Sequence, residues 1–204
     1  MMNLVFSIVL IFSMMFSQVD DEPKTIIFYG DSITAGYGIG TDFAFPELIE
    51  QKLIKDGHQV EIVNAGLSGE TSAGGVTRID WILNRKFDVF VLELGANDGL
   101  RGIPVDETKK NLKIIISKVR DKYPETSILV TGMMVPPNMG EEYSVAYQTI
   151  FSEIASEENV NLMPFLLKDV AGLEELNQPD GIHPNVEGHK IIAENLYQYV
   201  VEML

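Results

Sequence analysis

Residues 25–40 read TIIFYGDSITAGYGIG. The first five form an unbroken apolar, β-favouring run, the pattern of a strand covered on both faces rather than wetted on one. The run ends on Gly30-Asp31-Ser32, and three more glycines follow at 36, 38 and 40. Glycine permits the bend, and Asp31 is placed to cap the backbone N–H groups of a helix beginning at Ser32. A purely structural turn uses that trio. So does a nucleophilic serine held just past a strand end, and the rest of the chain has to choose between the two.

Working outward, similar short runs recur at 59–64, 88–94, 127–131 and 160–163, separated by helix-like segments at 43–56, 72–83, 107–123, 141–157 and 186–203. Strands alternating with helices predict an α/β domain with a parallel sheet. Five parallel strands joined by right-handed crossovers predict a three-layer α/β/α, flavodoxin-like doubly wound sheet. In the last helix Ile192, Leu196, Tyr199, Val200 and Met203 recur at helical spacing, so it packs back onto the sheet. Ligands of such sheets bind beyond the carboxyl ends of the strands, at the point where strand order reverses. The residues just after each strand therefore matter most.

The chain has 204 residues, 46% of them hydrophobic, enough for one domain with a well-developed core. Fifteen basic against 30 acidic residues give a net charge of −15, which argues against nucleic acid or an anionic lipid surface as partner. There is no cysteine, which excludes disulfides, thiolate metal sites and a cysteine nucleophile. Residues 1–18, MMNLVFSIVLIFSMMFSQ, carry no charged side chain and an apolar run too short to span a bilayer comfortably. That segment is expected to be a cleaved signal peptide exporting the chain to a periplasm or the medium, with an uncleaved anchor as the alternative, residues 19–204 as a single domain and no stable membrane insertion of the mature chain.

Four segments then fall at the ligand edge: Asp31-Ser32, NAGLSGETS at 64–72, GANDGLRG at 95–102, and DGIHPN at 180–185. Together they hold a hydroxyl, a glycine backbone N–H, a side-chain amide and a carboxylate three residues before an imidazole, the parts of acyl-transfer chemistry. A serine hydroxyl is a weak nucleophile and needs a neighbouring base, for which histidine has the right pKa. Of three histidines, His58 reads as a solvated turn residue, and His189, between Glu187 and Lys190, as part of a solvated helix face. His183 sits in a Gly/Pro/Asn-punctuated loop where Asp180 can accept from Nδ1–H while Nε2 faces outward. The plainer reading of that loop is a histidine capped locally by an aspartate.

These segments resemble the four blocks of the GDSL or SGNH hydrolases, in order and over the whole length from Thr25 to the last helix. The wording ELGANDGLRG and PDGIHPN is most similar to the thioesterase-I, lysophospholipase and arylesterase branch. The resemblance implies that Ser32 is the nucleophile, that Gly69 and Asn97 join the Ser32 N–H as oxyanion donors, and that Asp180 and His183 complete a triad. It implies a serine esterase acting on small acyl esters or thioesters, with no cofactor and no metal. Carbohydrate O-acetyl ester hydrolysis, performed by other branches, is the alternative within the same chemistry. Ile33 stands where the family name has Leu, a change of packing only.

A flavodoxin-like nucleotide or flavin module is a different class of reading. It fails on Thr41 where the dinucleotide fingerprint needs its third glycine, and on the lack of a Gly-Lys-Ser/Thr loop. No HExxH helix points to a metal. Glu93, inside the run VFVLELG, needs a partner or a raised pKa, with Arg78 a candidate donor. Two loops complete the expected site: GMMVPPNMG at 132–140 and PFLLKDVAGL at 164–173. Met133, Met134, Val135, Phe165 and Leu166 are expected to line a groove for an acyl chain.

Overall fold

The computed structural model describes residues 22–204, so the export segment expected at 1–18 lies outside the described residues. The opening run becomes strand β1 (Lys24–Gly30). The other strands are β2 (Val60–Gly66), β3 (Val89–Glu93), β4 (Ser127–Thr131) and β5 (Asn161–Met163). All neighbours pair in parallel, in the order β2-β1-β3-β4-β5. The chain moves outward from β1 to β2 and then crosses back to β3, so strand order reverses between β1 and β3. Gly30 is in register with Gly66 of β2 and with Glu93 of β3, which brings three strand ends level at that switch point.

Among the described residues seven α-helices accompany the strands: α1 (Ser32–Ala35), α2 (Phe45–Lys55), α3 (Ser72–Ile82), α4 (Ala96–Leu100), α5 (Val105–Lys122), α6 (Glu141–Glu158) and α7 (Val186–Val201). In one group α5 packs against both α3 and α6, and in the other α2 packs against α7, giving the three layers that the alternation predicts. Every residue of β3 is buried, as a strand covered on both faces requires. Phe28, Phe45, Tyr29 and Phe90 fill the space around β1, with Phe28 and Phe45 edge-to-face at 5.6 Å. Each such ring or aliphatic side chain contributes roughly 1.5–3 kcal/mol by leaving water.

Helix α7 corrects one expectation. His189 is not on a solvated face: it is 1% exposed, and its Nδ1 accepts from the backbone N–H of Phe45 at 3.1 Å. The reason is periodicity, since 189 lies one turn before Ile192 and Ala193 on the stripe that continues through Leu196 and Val200, all of them buried. Burial drives the pKa of His189 down to about 4, so it is a neutral core residue at pH 7. Among the described residues no helix is long and apolar enough to cross a membrane.

Candidate active site

Ser32 is the first residue of α1 and 8% exposed, held there by the turn that follows β1. Asp31 caps the helix, as its position predicts, with Oδ1 accepting from the N–H of Ile33 at 3.0 Å. Across the switch point the loop before α7 brings an imidazole to the serine: His183 Nε2 lies 2.9 Å from Ser32 Oγ. On the far side of the ring, Nδ1 lies 2.7 Å from Asp180 Oδ2. The other Asp180 oxygen accepts the backbone N–H groups of Ile182 at 2.9 Å and His183 at 3.0 Å, turning the loop back on itself. Those backbone bonds, then the imidazole, hold the Asp180 carboxyl down at about 2. It is therefore an ionised acceptor, which places the ring proton on Nδ1 and the lone pair of Nε2 toward the hydroxyl.

Donors arrive from the neighbouring strand ends. Asn97 rides on α4, just beyond β3, and one hydrogen of its amide goes to Asp31 Oδ2 at 3.1 Å, leaving the second free to point elsewhere. Gly69, in the loop after β2, has φ +80°, a conformation that suits glycine, and its carbonyl accepts from Arg101 Nη2 at 3.1 Å. The next residue, Glu70, is buried and clamped by Arg78, whose Nε donates at 2.8 Å and whose guanidinium lies over the Tyr29 ring at 4.2 Å. The Gly69 and Asn97 segments are braced together through Asp98, which is fully buried and accepts from Ser72 N–H at 2.8 Å and Thr108 Oγ1 at 3.3 Å. Ser32, Gly69, Asn97, Asp180 and His183, remote in sequence, thus come from loops that meet at one edge of the sheet.

Comparison with known proteins gives this arrangement its context. Residues 28–191 match the model of the GDSL-like lipase/acylhydrolase family. The chain belongs to this family. It is 34% identical over 199 residues to an arylesterase of Vibrio mimicus, covering 97% of this chain and 98% of the relative. To the thioesterase 1/protease 1/lysophospholipase L1 of Escherichia coli K12 it is 35% identical over 171 residues, 83% of this chain and 80% of the relative. Among solved structures, the psychrotrophic esterase EstA from a Pseudoalteromonas species, inhibited by monoethylphosphonate, superposes with a TM-score of 0.83 at 32% identity, covering 88% of this chain and 97% of that one. As a member of the GDSL-like lipase/acylhydrolase family, the chain is a carboxylic ester hydrolase.

Several residues of this GDSL-like hydrolase sit elsewhere than the sequence suggests. Arg78 does not reach Glu93; it bonds Glu70 and the carbonyl of Ala65, because α3 carries it over β2 and β1 rather than over the end of β3. Met133, Val135 and Leu166 do not line a groove. They are 1%, 9% and 0% exposed and belong to the core. Phe165 is half-buried, and Met134, 41% exposed, is the side chain of the expected set that faces solvent. Ile33 is buried at 3%, in keeping with a change of packing alone.

Two residues near Ser32 and His183 escaped the sequence reading. The ring of Tyr37 packs on the imidazole of His183 at 4.7 Å, and the Gln178 amide bonds the carbonyls of both Tyr37 and Pro184. Tyr37 follows the Ser32 turn and Gln178 precedes Asp180 by two positions, and this adjacency was their only signal.

Proposed function

We propose that Ser32 is the nucleophile of an acyl-enzyme mechanism in which His183 is the general base and Asp180 orients and charges it. The observation that carries this reading is the continuous line from Asp180 Oδ2 through the imidazole to Ser32 Oγ, with contacts of 2.7 and 2.9 Å. In the first step Oγ attacks the acyl carbon, its proton passes to Nε2, and the carbonyl π electrons move onto oxygen. The Ser32 N–H, the Gly69 N–H and the free amide hydrogen of Asn97 receive that negative charge. Collapse of the intermediate expels the alcohol or thiol, which takes the proton from Nε2. Water then repeats the sequence on the acyl-enzyme, releasing the acid and restoring Ser32.

Substrates on this reading are small acyl esters and thioesters, for which the names of the arylesterase and thioesterase relatives give support. Residues 1–18 act as the export signal, and the work is done outside the cytoplasm by the single domain that follows. Ser32→Ala is expected to lower turnover of an aryl ester by about 10³ or more while leaving cooperative unfolding intact. His183→Ala costs about as much, and the double variant is barely worse than either, since members of one catalytic unit are not additive. Wild-type turnover in Ser32→Ala ends the proposal.

A further inference from the structure

Beneath the turn that carries Ser32 lie two carboxyl groups that the acyl-transfer steps do not use. Glu93, the last residue of β3, and Asp31, immediately before Ser32, are both 0% exposed. Glu93 Oε2 accepts from the backbone N–H of Asp31 at 3.1 Å and from the Thr34 hydroxyl at 2.7 Å. Gly30 makes the room, because a Cβ there would stand 2.1 Å from Thr34 Oγ1 and 2.4 Å from Glu93 Oε2. Oε1 of Glu93 has no hydrogen-bond partner, the one such buried side-chain atom among the described residues.

A buried carboxylate with an unsatisfied oxygen beside a second carboxylate is an arrangement that two full charges cannot hold. Among the described residues no Lys or Arg forms an ion pair with either group. The groups facing Asp31 are the Ile33 N–H, the Asn97 amide, the His183 ring and Glu93 itself, and those facing Glu93 are Asp31 and Thr34. A single proton resolves the conflict. It turns one acceptor-only carboxyl into a donor and replaces repulsion between neighbours by a hydrogen bond.

We propose that Glu93 and Asp31 act as one unit holding a single proton between them, and that Glu93, working through Asp31, is a positioning residue for the Ser32 turn and the Asn97 amide. Glu93 fixes the turn by accepting from Asp31 N–H and Thr34. Asp31 in turn fixes the helix cap and one hydrogen of the Asn97 amide, so that the second hydrogen points into the site. Retaining the proton also keeps a second negative charge away from the place where the oxyanion forms. Burial supports the picture by pushing Asp31 up to about 6, and burial together with the Asp31 charge pushes Glu93 well above the carboxylate range.

The inference rests on the reading of Asn97 as an oxyanion donor, but its first test needs no activity. A carboxyl whose pKa is raised on folding keeps a proton that the unfolded chain releases, so stability present below its unfolded pKa is lost as pH rises toward the folded one. Glu93→Gln carries its donor permanently and escapes this loss. In the Ser32→Ala background, the unfolding constant of the Glu93→Gln protein relative to its parent is expected to fall by about tenfold per pH unit as pH rises above the unfolded carboxylate range, one proton's worth. A flat ratio refutes the shared proton.

In the active enzyme at pH 7, Glu93→Ala is expected to lower kcat for an aryl ester by about 10- to 100-fold with KM unchanged, and Glu93→Gln to restore it to within about threefold. Wild-type kcat in Glu93→Ala, or a Glu93→Gln enzyme as poor as Glu93→Ala, overturns the positioning role. Should Glu93→Ala fail to fold, the proton linkage and the kcat of Glu93→Gln decide. Full turnover by Ser32→Ala would end the acyl-enzyme reading while leaving the linkage result standing, so the two failures are distinguishable.

Discussion

The Gln178 side chain helps tie the loop carrying Asp180 and His183 to the segment that follows Ser32, and the strength of that tie can be worked out. Gln178 Nε2 donates to the carbonyl of Tyr37 at 2.6 Å and to that of Pro184 at 3.0 Å. Its backbone N–H donates to the carbonyl of His183 at 2.7 Å. Opposite it stands Gly38, with φ +79°, where a Cβ would come within 2.2 Å of Gln178 Oε1. Gly38→Ala meets a left-handed backbone penalty of about 1–2 kcal/mol and also forces the Gln178 side chain away. That displacement gives up two side-chain hydrogen bonds at about 1 kcal/mol each, for a total of about 3–4 kcal/mol. Gln178→Ala loses the same two bonds, about 2 kcal/mol, and relieves the clash. The double variant should therefore be destabilised by about 3–4 kcal/mol, where simple addition gives about 5–6. At about 2–4 °C per kcal/mol for a domain of this size, the gap is about 4–8 °C in Tm, well within reach of thermal unfolding followed at neutral pH. Aryl ester turnover by Gln178→Ala should drop by about tenfold or more at little changed KM, because His183 loses its alignment with Ser32. Additive melting shifts, with full turnover in Gln178→Ala, would refute the tie.

Asn97→Ala should lower kcat by about 10² to 10³ with KM nearly unchanged, measured on an aryl ester, because its amide acts on charge that exists only in the transition state. With Met133 in the core, Met134 becomes the side chain to test for the acyl group: kcat/KM should rise from acetyl to medium acyl chains by up to about 0.8 kcal/mol per methylene, and Met134→Asp should flatten the rise. Strict acetyl preference, with acetylated sugar the better substrate, would favour the carbohydrate esterase alternative instead. His189, held neutral with its pKa lowered from 6.5 to about 4, contributes stability that is present above pH 6.5 and lost as pH falls through 4. Wild-type protein should therefore lose up to about 3 kcal/mol across that window relative to His189→Gln, read as unfolding free energy against pH; parallel curves would show that the ring is not held neutral.

The strands were legible because the central ones are apolar runs, with β3 buried along its whole length, and the expected bounds fall within two residues of those observed. The residues of the candidate site were legible because loops at strand ends announce themselves with Gly, Asn and Asp, and the contacts among Asp31, Asn97, Ser32, His183 and Asp180 bring those loops together. What sequence hides is contact across long separation. Glu93 and Thr34 stand 59 residues apart, and Gln178 and Tyr37 stand 141 apart, so no local pattern pairs them. The apolar loops misled for a different reason. A run such as Met133-Met134-Val135 names side chains that avoid water, but it does not say which of them the core claims first, and here the core took the first and third. His189 was readable after all: its spacing from Ile192 and Leu196 outweighs the two charged neighbours that drew attention to the opposite face.

The register explains how the site divides its work. Because Gly30 pairs level with Gly66 and Glu93, the Ser32 turn, the Gly69 loop and the Asn97 helix all leave the sheet from one line. They inherit its rigidity, reinforced from below by the buried side chains of Asp31, Glu93 and Asp98. On the proposed mechanism the acid–base residues come instead from a surface loop: the side chain of His183 is 20% exposed and that of Asp180 39%. Preorganised donors belong on rigid, dry elements, because their value lies in not having to move when the oxyanion forms. The base has the opposite need. It must exchange its proton with a leaving group and then activate a water molecule that arrives from solvent, so one edge of the ring has to stay wet. A loop secured at few points, by the paired Asn177 and Pro184 backbones and the Gln178 amide, meets that need while keeping Nε2 within hydrogen-bond distance of Ser32.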